Sequence, residues 1–187
     1  QNAALVSGSM ITFVLRFTVA VLSFCLMVLP VQAARDTDSY DGNIFALYAG
    51  NGSLVPPAIT LAESQAAGRT SVIVYYLDDS STSKAFSGAV SELQRVWGNS
   101  VDLLPLTTDA LQGRSTSDPS DPAHYWKGTI PQVVVIDGAG KLHLDADGQV
   151  ALERINAAVS EATGLPAPTQ GSISMSFNEL NTEVISR

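Results

Sequence analysis

The sequence predicts an α/β domain of three layers, a mixed central sheet with helices on both faces. Three observations carry this. Ser71 to Leu77 (SVIVYYL) is a β-branched and aromatic run, as expected of a strand covered on both sides. An amphipathic helical pattern follows it directly. A hairpin and a last helix close the pattern. Helical crossovers make strands parallel and a hairpin makes its pair antiparallel, so the sheet is mixed.

Each element has its own signal. Asn43 to Tyr48 (NIFALY) is a short apolar run read as a strand, ended by Gly50-Asn51-Gly52. Pro56 and Pro57 interrupt the connection, and Ile59 to Ala67 reads as a helix stopped by Gly68. After Ser71–Leu77, the run from Asp78 to Ser83 is rich in helix-capping residues. Lys84 to Trp97 places Phe86, Ala89, Val90, Leu93, Val96 and Trp97 on one helical face. Gly98-Asn99 stops that helix, and Val101 to Leu106 is the next strand. Residues 107–127 form the longest irregular stretch, too long for a routine connection. Gln132 to Ile136 is a strand, Asp137 to Gly140 a turn, and Lys141 to Leu144 the partner strand. Gln149 to Thr163 is the final helix, with Leu152, Ile155, Val159 and Ala162 as its stripe.

Composition excludes whole classes of function. The 187 residues are 45% apolar and 15% charged, room for one domain with a real core. Eighteen acids against 10 bases give a net charge of −8, which offers no footprint for nucleic acid. One cysteine and two histidines exclude an internal disulfide and a cysteine zinc site. No cofactor or metal is expected. Asp145-Ala146-Asp147-Gly148 resembles only the opening of a calcium loop and lacks the later ligands. Asp78 and Asp79 have a sufficient role ahead of a helix amino end.

Charge is unevenly placed. Residues 1–34 carry one charge, Arg16, and Phe17 to Ala34 carry none. The segment reads as a signal peptide or a membrane anchor; Val31-Gln32-Ala33-Ala34 offers a cleavage pattern, and Cys25 lies inside the run. The membrane is therefore expected to be met through this segment, with the globular part translocated. Residues 35–42 read as a linker, 43–165 as the domain and 166–187 as a flexible tail.

The element order, with Gly128-Thr129-Ile130-Pro131 immediately before the strand 132–136, resembles the thioredoxin fold. The likeness spans about residues 43–164. It implies that Pro131 is a cis-proline beside the amino end of the helix that follows SVIVYYL. It also implies that Ser80-Ser81-Thr82-Ser83-Lys84 stands where that family carries Cys-Gly-Pro-Cys-Lys. A cysteine at a helix amino end works because the dipole and free N–H groups stabilise its thiolate. A serine hydroxyl does not ionise near neutral pH and forms no exchange intermediate with sulfur. Ser80 and Ser83 are instead expected as helix caps. The expectation is a protein without enzymatic activity.

A narrower likeness adds a setting. The hydrophobic start, the cysteine-free domain, the block Tyr125 to Lys141 (YWKGTIPQVVVIDGAGK) and the acidic character are similar to the cyanobacterial thylakoid membrane photosystem I accumulation factor family. This implies a thylakoid protein, its domain on the lumenal side, that supports photosystem I assembly by contact with its subunits or assembly intermediates. Tyr125, Trp126, Thr129, Ile130 and Pro131 form the expected binding groove, where a peptide could pair along the backbone and rest on aromatic area. A thiol–disulfide oxidoreductase relying on an external thiol and an interaction module unconnected with photosynthesis are the alternatives. His124 is read as a loop residue and His143 as solvent-facing through strand alternation.

Overall fold

The computed structural model describes residues 35–168; the hydrophobic segment 1–34 and residues 169–187 lie outside the described residues. Asn43 decides the first element. Its side chain accepts from the N–H groups of Phe45 and Ala46, and Gly50 ends the segment in the left-handed region. Ile44–Ala49 is therefore a helix, α1, and not the expected strand. A run of six residues fits either period, and the capping side chain decides between them. Burial of Ile44 and Phe45 fixes the helix against the domain.

Thr60 and Glu63 form a reciprocal capping box that starts α2, Leu61–Ala66. β1, Ser71–Tyr76, is buried along its whole length. α3 spans Ser81–Trp97, beginning three residues earlier than the apolar spacing shows because Ser80 caps it. β2 is Asp102–Thr107, β3 Gln132–Ile136 and β4 Leu142–Asp147. β4 thus runs through Asp145 and Asp147, which pair with Val134 and Gln132 in the ladder. α4, Leu152–Thr163, starts later than expected and ends at Gly164 in the left-handed region.

The sheet order is β2-β1-β3-β4, with β1 parallel to β2 and antiparallel to β3, and β3 antiparallel to β4. One core joins Val72, Val74, Tyr76, Val133 and Val135 to residues of α1, α3 and α4. The other joins Ile73, Tyr75, Val134 and Ile136 to Leu61 of α2, Leu111 and Ala123. Sheet alternation thus feeds two apolar layers, as the expected architecture requires.

Among the described residues β2 is an edge strand. Asp102 N–H donates to Thr70 O and Thr108 N–H to Tyr76 O, so residues 102, 104, 106 and 108 face β1. Leu103, Pro105 and Thr107 then turn their backbone groups outward, and Pro105 brings no donor there. At the other edge, β4 carries a bulge opposite Val135 and Ile136. The bulge resets the alternation, and the His143 side chain is enclosed instead of solvent-facing, although the residue as a whole is half-buried. Its Nε2 lies 2.8 Å from Asp137 Oδ2, and its Nδ1 lies 3.4 Å from Glu161 on α4.

Candidate functional site

Pairing in the sheet brings the expected site residues to one end. Tyr75 pairs with Gln132 in antiparallel register, so Ile130 and Pro131 lie where β1 runs out toward the start of α3. The Ile130–Pro131 peptide is cis, as the resemblance implied. Pro131 is buried, and its carbonyl accepts from Gly148 N–H at 2.7 Å. Ile130 is half-buried and Thr129 exposed.

Tyr125 and Trp126 are brought to the same loop but are not free-standing. The Trp126 ring lies 5.3 Å from the Tyr75 ring, and both residues pack on the second core. Tyr125 Oη donates to Pro119 O at 3.0 Å. Gln132, wholly buried, holds the loop from below. Its Nε2 donates to Tyr125 O (2.8 Å) and to Asp145 Oδ1 (2.9 Å), and its Oε1 accepts from Lys127 N–H (3.2 Å). Lys127 adds an ion pair to Asp145 at 2.7 Å. Sequence reading had no signal for Gln132 beyond its place next to the proline.

Ser80 behaves as expected and Ser83 does not. Ser80 Oγ accepts from Ser83 N–H at 3.3 Å, a helix cap. Ser83 is itself buried within the first turn, and its Oγ accepts from Leu77 N–H at 3.2 Å. Its hydroxyl ties the end of β1 to α3 and caps nothing. Among the described residues the hydrogen bonds of these two hydroxyls run to Leu77 N–H, Ser83 N–H and the Thr82 hydroxyl, none to an imidazole or a carboxylate. His124, exposed, sits edge-on to Tyr125 with Nδ1 3.1 Å from Thr116 O, and His143 is held at Asp137.

The stretch read as a linker lies on this helix end. Asp38 Oδ1 accepts from Ser81 N–H at 2.8 Å. Lys84, fully buried, donates to Thr37 O (3.0 Å), Ser39 O (2.6 Å) and Asp41 Oδ2 (2.6 Å). Arg35 reaches Ala85 O at 3.3 Å, and Tyr48 Oη donates to Asp41 at 2.7 Å. The Ser81 amide holds the Asp38 carboxyl below the ordinary range. The Lys84 ammonium, with the Tyr48 hydroxyl, does the same for Asp41. Asp78 behaves oppositely: burial, with Asp109 and Asp79 nearby, pushes its carboxyl up while Ile44 N–H pulls it down.

Among the described residues no group of three or more His, Cys, Asp or Glu could hold a metal ion. An apolar cleft of about 250 Å³ lies between Ile59, Leu61, Leu104, Leu106 and Pro122. Its only hydroxyls are Thr60 and Ser120, and it holds no titratable group. No described helix is long and apolar enough to cross a membrane.

No family model matches the chain. It is 33% identical to thylakoid membrane protein slr1796 of Synechocystis sp. (strain ATCC 27184 / PCC 6803 / Kazusa), over 91% of this chain and 92% of that protein. The chain belongs to the family of this thylakoid membrane protein. Among solved structures, a redox protein from Chlamydomonas reinhardtii matches at a TM-score of 0.42 and 14% identity. That match covers 78% of this chain, which spans 43% of the redox protein's length.

Proposed function

We propose that the chain is a non-catalytic thylakoid protein that supports accumulation of photosystem I by protein–protein contact. One observation carries the non-catalytic part. At the helix end where the resemblance puts a redox pair, both side chains are hydroxyls, and both are committed to backbone N–H groups. Ser80 takes a helix-end amide of the kind that would have activated a thiol, and Ser83 takes the Leu77 amide at the end of β1. What remains at this end is a contact surface made by Thr129 and Ile130, braced from behind by Tyr125, Trp126 and Gln132. The fit to photosystem I rests on the family resemblance of the block Tyr125 to Lys141 and on membership of a thylakoid membrane family.

Deleting the gene and measuring the ratio of photosystem I to photosystem II tests the role; a lowered ratio is expected, and an unaltered ratio overturns it. Insulin reduction by the purified protein tests the chemistry. No turnover above buffer is expected, and measurable turnover with added thiol would favour the external-thiol enzyme. Ile130→Asp should remove binding to purified photosystem I. It leaves the Tyr75–Trp126 packing alone, which Trp126→Ala would not.

A further inference from the structure

Residues 35–41 are polar and far in sequence from α3, yet five separate contacts seat them on its first turns. Two of these are carboxylates three residues apart, one on a helix amide and one on an ammonium. Lys84 is wholly buried, so removing the segment would expose a cation that the fold otherwise surrounds with oxygens. Next to it, Ser81 N–H is taken by Asp38, Ser83 N–H by Ser80, and Lys84 N–H by Ser80 O. The segment therefore closes the helix end that lies beside the proline loop. Its contacts are hydrogen bonds and ion pairs, and Tyr40 within it is 75% exposed. No apolar side chain of this stretch enters either core. A polar closure of this kind can be exchanged for an equivalent one without unfolding what lies beneath.

We propose that residues 35–41 are a displaceable strap over the amino end of α3, latched by Lys84, and that opening it admits the partner. This rests on the reading that a partner binds at this end. A segment held in cis competes at an effective concentration in the millimolar range, which an outside ligand must overcome.

The test uses the full chain in detergent micelles. A fluorescein-labelled peptide of residues 35–42 (RDTDSYDG) is titrated against wild type, Asp38→Ala/Asp41→Ala and Lys84→Met, with far-UV circular dichroism and buried Trp97 emission as fold controls. The double variant, whose own strap is loosened while Lys84 remains, should take up the peptide at least tenfold better than wild type. Lys84→Met, lacking the latch, should take up none. Equal uptake by wild type and double variant, or uptake by neither, overturns the strap. Purified photosystem I is then bound to the same proteins. Severalfold tighter binding by the double variant supports the gate. Binding that is present but indifferent to strap opening overturns it. No binding by any variant, with the peptide result intact, overturns the photosystem reading and leaves the strap standing.

Discussion

Gln132→Leu isolates the support of the proposed contact loop. Leucine fills nearly the same space but breaks three hydrogen bonds, one of them to the Asp145 carboxylate. The two neutral bonds contribute about 1 kcal/mol each and the charged one about 1.5 kcal/mol or somewhat more. The sum is a loss of roughly 3.5 to 4 kcal/mol, which lowers the melting temperature of a domain this size by about 10–15 °C. Urea unfolding followed by circular dichroism gives the stability, with an unchanged m-value showing that the native core is intact. The loss should also be visible locally: Trp126 emission shifts red while the buried Trp97, bonded to Asn156, keeps its blue component. Binding of photosystem I should fall with it. Gln132→Glu should cost more, since it loses both donors and sets a second carboxylate against Asp145. A loss under 1 kcal/mol for Gln132→Leu would refute the idea that this side chain holds the loop.

Other perturbations bear on separate parts. Asp38 and Asp41 have folded pKa values below their unfolded ones, so the strap's ionic contribution is present above the ordinary carboxylate range and is lost as pH falls through the lowered values. Amide protection factors, which remove the intrinsic pH dependence of exchange, should therefore be flat at Ser81 and residues 37–41 from neutral pH to about 4 and fall below it; a fall already at pH 6 would contradict this. Asp78 has the opposite sign: its raised folded value makes the ionised form a burden that disappears on acidification. Asp78→Asn keeps an oxygen for Ile44 N–H and should gain roughly half a kcal/mol at neutral pH after solvent screening, the gain closing at low pH in thermal melts. Gly138→Ala would place a methyl inside contact distance of the Gly68 backbone, which nothing flexible can relieve. A cost of about 1–3 kcal/mol in urea unfolding is expected, and a neutral result would mean the two turns separate freely.

What could be read from the chain followed from the range of each interaction. β1 and β3 are near-continuous runs rich in β-branched and aromatic residues, which is what a strand buried on both faces needs and what IFALYA lacks. The face of α3 follows from its period, because Phe86, Val90, Leu93 and Trp97 report one surface repeatedly. α1 was misread because six residues carry too little periodicity, and a single side chain, Asn43, tipped the choice. His143 was misplaced by a bulge, one extra residue that alternation cannot register. In the site, the cis-proline loop was legible from its neighbours. Gln132 and the strap were not, since Lys84 meets Asp41 across 43 positions and no local pattern announces such a pair.

The sheet's two edges bear on how molecules of this family can crowd together. A strand arriving at β2 would meet a ladder with a missing rung at its middle, where Pro105 faces out. A strand arriving at β4 would meet a bulge and the acidic residues Asp145 and Asp147. Growth by sheet extension, the commonest route from close packing to fibre, is thus interrupted at both margins. Copies of this domain gathered at high local density should therefore associate through loop and helix surfaces, where a partner can be chosen by side chain.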